Sequence, residues 1–126
     1  MVTVGCGCQT PTDQKGPIRG MEYGGGEVLK GPWGEATSAN ITPDASGIGY
    51  YDEAQFLQVM HTGFVQARKL SSIMPFGEFT NLSDDDLKAI FAYLQSVPPV
   101  KHRVDNSLPP TYCRLCRQKH GGGDQN

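Results

Sequence analysis

Three groups of residues in this 126-residue chain are equipped for chemistry. They are Cys6 and Cys8 near the start, Met74 ahead of Pro75 in the middle, and Cys113 and Cys116 with His120 near the end. The four cysteines fall in two close pairs at the termini of an otherwise cysteine-free chain. They read as two disulfides, as four thiols, or as ligands of a cofactor or metal ion. Cys113 and Cys116 followed by His120 have the spacing of three zinc ligands, and His102, Cys6 or Cys8 could supply a fourth. Arg117 stands where a haem-attachment motif needs histidine, and no βαβ pattern suggests a thioredoxin-like redox pair. The Met74 thioether is a soft ligand suited to haem iron or copper, although an isolated methionine more often fills a gap in a core. His61, on a helix, reads as a surface residue, and His102 reads as exposed.

The elements that must position these groups are few. Sixteen glycines and nine prolines against 37% hydrophobic residues predict a loop-rich fold organised by a cofactor, a metal or disulfides. A net charge of −2 with no basic stripe argues against nucleic acid. No apolar run approaches the roughly 20 residues of a membrane span. Met1 to Val4 is too short for a signal peptide. Residues 11–49 carry many breakers and predict a long irregular segment, with one short strand pair, that wraps a ligand.

Asp52 as N-cap, Gln55 three residues on, an apolar stripe of Phe56, Val59 and Met60, and Gly63 as the stop predict a helix over 52–62. Ser83 with Asp86, followed by Leu87, Ile90, Phe91 and Leu94 and ended by Pro98-Pro99, predicts a second helix over 83–97. Met74-Pro75 lies in the loop between them. Residues 1–99 read as one domain and 100–126 as an extended tail laid over it.

The order Asn40-Ile41-Thr42-Pro43-Asp44, Gly47-Ile48-Gly49, capped helix, Met74-Pro75 with Phe76 and Phe79, then Leu82-Ser83-Asp84-Asp85-Asp86-Leu87 closely resembles the class I cytochrome c domains. Within that family it is most similar to the cytochrome subunits of bacterial membrane-bound alcohol and sugar-acid dehydrogenases. The resemblance runs from about Val4 to Pro99 and implies a mostly α, loop-rich fold. It places Met74 as the distal ligand of a haem c iron. It makes the helix carrying Tyr93 the terminal helix, which in the family packs on a first helix. Cofactor-binding positions carried over are Cys6, Cys8, Gln9, Pro11, Ile41, Ile48 and Met74, with Phe56, Met60, Phe76 and Phe79 as further pocket candidates.

Two departures stand out. The family reads Cys-x-x-Cys-His-Thr-Pro, whereas this chain reads Gly5-Cys6-Gly7-Cys8-Gln9-Thr10-Pro11. Aligned on Thr10-Pro11, Cys8 keeps register with the second cysteine, Cys6 is one residue out, and Gln9 takes the place of the axial histidine. A glutamine amide is a poor ligand for haem iron beside an imidazole, so the iron is expected to be five-coordinate or loosely held. His120 or His102, both on the tail, are the expected substitutes ahead of His61. Only Met1 to Gly5 precede the motif where the family has a full helix. The face of Leu87, Ile90, Phe91 and Leu94 is therefore expected to lack its usual partner.

The resemblance implies an electron carrier, not an enzyme in itself, passing single electrons between a dehydrogenase subunit or other redox partner and an acceptor in the periplasm. That oxidising setting favours a Cys113–Cys116 disulfide over metal binding. The alternative function is a haem-free structural or zinc-binding module derived from such a domain. No nucleophile–base or carboxylate pair suggests catalysis.

Overall fold

Two helices begin where a side chain can cap them. In α1 (Glu53–Thr62), the Asp52 carboxylate accepts from the Gln55 backbone N–H at 2.7 Å. Gly63, at φ 73°, closes its other end by donating to the Val59 carbonyl at 2.8 Å. The structure, a computed structural model, describes residues 6–66, 68–71, 73–104, 111–115, 117, 119 and 120, with the side chains of Cys6, Phe76, Thr111, Lys119 and His120 left aside. A one-turn helix α2 (Phe76–Phe79) follows Met74-Pro75, and α3 spans Asp84–Ser96.

The α3 cap is a reciprocal box. Ser83 Oγ accepts from the Asp86 N–H at 3.2 Å, and Asp86 Oδ2 accepts from the Ser83 N–H at 3.1 Å. Hydrogen bonds from the Ser83 hydroxyl and backbone hold the Asp86 carboxyl below its ordinary pKa. A lowered folded-state pKa means that this cap supports the helix at neutral pH and weakens as acid protonates the carboxylate.

α1 and α3 meet through their apolar stripes. Phe56, Val59 and Met60 pack with Leu87 and Leu94, joined by Ile48, Tyr51, Val65 and Phe79. The Phe56 and Phe91 rings lie 5.1 Å apart between centroids. The α3 face, expected to lack the first helix as its usual partner, is covered by α1 and its neighbours. Leu87 is 0% exposed, Leu94 is buried, and Ile90 and Phe91 are half-buried against the same cluster.

The expectation of a mostly α fold is overturned. Only 29% is helical and 17% is strand. Where residues 11–49 were expected to be irregular with one strand pair, two antiparallel hairpins form. β1 (Thr12–Asp13) pairs with β2 (Gly16–Pro17), and β3 (Val28–Gly31) pairs with β4 (Gly34–Thr37). β5 (Phe64–Val65) with β6 (Arg68–Lys69), and β7 (Thr111–Tyr112) with β8 (Lys119–His120), make two more. The cause is local. Asp13 accepts from the Lys15 N–H at 2.7 Å beside Gly16 at φ 112°, so what reads as breakers in sequence are turns that fold strands back. None of the sheets among the described residues exceeds two strands.

Residues 100–104 are held tightly against the rest of the chain. Val100 and Val104 are buried, and a network centred on Asn40, itself 0% exposed, clamps the segment. Asn40 Nδ2 donates to the carbonyls of Val100 at 2.8 Å and His102 at 3.0 Å, while Oδ1 accepts from the Thr42 N–H and hydroxyl. Thr42 Oγ1 accepts from the Val100 N–H at 3.0 Å, and Ser46 Oγ from the His102 N–H at 3.0 Å. Beyond the clamp, the Arg114 N–H donates to the Pro32 carbonyl at 2.9 Å, tying the last hairpin to the β3–β4 turn.

One glycine is required by close backbone approach. Gly25 has φ 72°, and its N–H donates to the Gln9 carbonyl at 2.6 Å. A Cβ there would sit 2.4 Å from the Ala39 carbonyl carbon. Gly25→Ala is expected to cost about 2–4 kcal/mol, from positive φ together with backbone overlap. Urea denaturation checks this, and a midpoint unchanged from the parent would refute it.

Candidate functional site

Gln9 ends a short 3₁₀ turn, Cys6–Gln9, held by the Gly25 contact to its carbonyl. Its side chain is directed inward and is only 7% exposed. Met74 approaches from the opposite direction, placed by its N–H bond to the Ser71 carbonyl at 3.0 Å and by the start of α2 one residue after Pro75. These two side chains, 65 positions apart in sequence, meet: Gln9 Nε2 donates to Met74 Sδ at 4.0 Å. The other end of the amide, Oε1, is buried and has no hydrogen-bond partner. A buried amide oxygen left unmatched costs about 1–3 kcal/mol, so its presence here calls for an explanation.

At 4.0 Å the Gln9–Met74 contact is a long N–H···S hydrogen bond between two side chains that can each offer a lone pair, the thioether sulfur and the amide oxygen. The apolar side chains named from the sequence gather nearby in one cluster. Ile48, Phe56, Met60 and Phe79 are buried in it, with Ile41 and Met74 half-buried against it. Pro11 is half-buried, and its carbonyl accepts from the Ile18 N–H at 3.0 Å. The Cys8 thiol is exposed and forms no disulfide. The side chains of Cys6 and Phe76 lie outside the described residues.

The two histidines with described side chains, His61 and His102, do not come to this site. His61 is exposed and pairs with Asp84 at 2.9 Å, a surface contact worth about 0–1 kcal/mol. His102, expected to be exposed on the tail, is instead half-buried. Its Nδ1 donates to the Gly24 carbonyl at 2.9 Å, and its ring lies so close to Gly26 that a Cβ there would be 2.7 Å from Cε1. Its backbone is also held by Asn40 and Ser46, and its ring would have to leave the Gly24 carbonyl to turn elsewhere.

At the other end of the chain, Cys113 is 0% exposed. Cys116 and the His120 side chain lie outside the described residues, and the disulfide and zinc readings of that pair lie there with them. Among the described residues, no group of three histidine, cysteine or acidic side chains gathers to hold a metal ion. No helix among them is long and apolar enough to cross a membrane.

Sequence reasoning passed over a polar cluster before Met74. Tyr50 and Tyr51 stack edge-on with ring centroids 4.8 Å apart, and Arg68 of β6 lies in the same field. Burial, reinforced by Tyr50, pushes the Tyr51 hydroxyl well above its ordinary pKa, and burial lowers that of Arg68. The hydroxyl stays protonated and the guanidinium stays charged at any physiological pH. Only the doubled tyrosine at 50–51 could have signalled this in the sequence.

No protein-family model matches the chain. It is similar to the cytochrome c subunit of a quinone-dependent alcohol dehydrogenase from Gluconobacter oxydans, 38% identical over 95 residues, covering 73% of this chain and 20% of that protein. It is also similar to a nicotinate dehydrogenase subunit from Pseudomonas putida, 38% identical over 87 residues, covering 68% of this chain and 7% of the relative. The fructose dehydrogenase cytochrome subunit of Gluconobacter japonicus is 34% identical over 84 residues, covering 64% of this chain and 17% of that protein. The chain thus spans about a fifth or less of the length of these curated relatives. Its resemblance to cytochrome c subunits of alcohol, fructose and gluconate dehydrogenases extends over 34–38% identity.

Proposed function

We propose that the chain is a cytochrome c-type electron carrier that binds one haem c and passes single electrons between a dehydrogenase subunit and an acceptor outside the cytoplasm. The observation that carries this reading is the Gln9–Met74 pair. A thioether and a buried amide with an unmatched oxygen face each other at 4.0 Å, beside an apolar cluster. Gln9 and Met74 would hold the group between them, since a thioether and a buried amide with an unmatched oxygen are directed at each other. The donor at position 9 is weaker than the imidazole of the family.

When bound, haem supplies an iron that cycles between ferrous and ferric states. The chain's own residues do the rest. Met74 presents its sulfur, which favours the reduced state by soft donation. Cys8 offers an accessible thiol for covalent attachment. Ile41, Ile48, Phe56, Met60 and Phe79 keep the surroundings apolar, which disfavours the extra charge of the ferric form. The names of the similar proteins support a dehydrogenase subunit as the electron partner.

The test begins with the full chain produced together with a cytochrome c maturation system. Mass spectrometry should find haem on Cys8, and the Soret band should survive acid-acetone extraction. Met74→Ala should abolish the near-infrared sulfur-to-iron band, where the parent shows one, and lower the midpoint potential. Colourless parent protein with no haem mass on either cysteine of the first pair defeats the reading.

A further inference from the structure

We infer that Gln9 is itself an iron ligand, its side-chain amide oxygen closing the axis opposite Met74, so that the centre is six-coordinate through oxygen and sulfur. This rests on the haem reading above, and it replaces the five-coordinate iron that the sequence leads one to expect.

Three observations carry it. The Gln9 side chain is buried, yet Oε1 has no protein partner, so its electron-donating capacity is unused. The amide end faces Met74 Sδ at 4.0 Å, so the two side chains are directed at each other across one short gap. The backbone of Gln9 is fixed by the 2.6 Å bond between its carbonyl and the Gly25 N–H, so the side chain cannot withdraw by a shift of the main chain.

The atom facing Met74 follows from what lies between. With nothing there, the amide N–H points at the sulfur, since two acceptors would otherwise oppose each other. With a cation there, half a turn about the last side-chain torsion exchanges nitrogen for oxygen in almost the same shape. The exchange leaves the same number of unmatched amide atoms and adds a coordination bond. The oxygen is the ligand atom, because the nitrogen lone pair is delocalised into the carbonyl. Among the described imidazoles none competes: His61 is on the surface with Asp84, and His102 is bound to Gly24.

The experiment is cyanide titration of the ferric, haem-loaded full chain, with covalent haem verified by mass in every sample. Gln9→Leu keeps the bulk and removes the donor, so cyanide should bind about tenfold tighter or more than to the parent, because no ligand has to be displaced. Gln9→Glu keeps an oxygen at the same place and adds negative charge, so its midpoint potential should fall below the parent's while cyanide still binds more weakly than to Gln9→Leu. Equal cyanide affinities in the parent and Gln9→Leu, with haem attached in both, overturn the assignment of Gln9 and leave the haem reading standing. Absence of covalent haem in the parent overturns the haem reading, and the assignment with it.

Discussion

Replacing Gln9 with His, together with one residue inserted between Cys6 and Cys8, is expected to convert the haem-loaded protein from a weak-field ferric spectrum to a low-spin His/Met one. The side chain at position 9 already faces Met74 Sδ at 4.0 Å, so an imidazole there enters a direction that is set in advance. Imidazole nitrogen is a far stronger donor to iron than an amide oxygen, so the change of spin state should be complete. The insertion gives the two thiols the spacing that covalent attachment requires. Electron paramagnetic resonance and the near-infrared sulfur-to-iron band report the outcome. A Gln9→His protein with haem attached but an unchanged ferric spectrum would show that the residue does not address the iron. A parent already low-spin would point to a nitrogen ligand from elsewhere, and His102 would first have to leave Gly24.

The second large effect is expected at Asn40. Asn40→Ala removes the donor to the Val100 and His102 carbonyls and the acceptor for Thr42, in a network whose centre, Asn40, is fully buried. Each polar group left without its partner costs about 1–3 kcal/mol, partly offset where Ser46 and Thr42 still reach Val100, so a loss of about 3–4 kcal/mol is expected. For a chain of this size that lowers Tm by roughly 10 °C or more. Asn40→Asp is the sharper control. It keeps the shape and the bonds from Thr42 but turns a donor into a charged acceptor facing two carbonyls, so it should be at least as damaging as Ala. Thermal unfolding measures both, and an Asn40→Asp protein as stable as the parent would show that the clamp contributes little.

These two residues also separate what is local in this chain from what is not. The ends of α1 and α3 were legible because their causes lie within four residues: Asp52 with Gln55, Gly63 with Val59, Ser83 with Asp86. The motif Asn40-Ile41-Thr42-Pro43-Asp44 was legible as a family signature, but its physical work was not. Asn40 acts on residues 60 and 62 positions away, and no short-range pattern encodes such a partner. The same limit explains the partner that α1 provides for Leu87 and Leu94, whereas the β1–β2 turn rests on a local contact, Asp13 with Lys15, that reads in sequence only as a breaker.

By itself the sequence determined the two longer helices, their caps and the apolar stripes, because periodicity and capping are set by neighbours along the chain, and the order of its motifs carried the resemblance to cytochrome c subunits. Only the tertiary structure decided that Gln9 and Met74 address each other with an amide oxygen left over, that His102 is held fast, and that the segment after α3 is part of the core. Those outcomes depend on which distant backbone groups need partners once water is excluded. That demand exists only after the chain has folded around them.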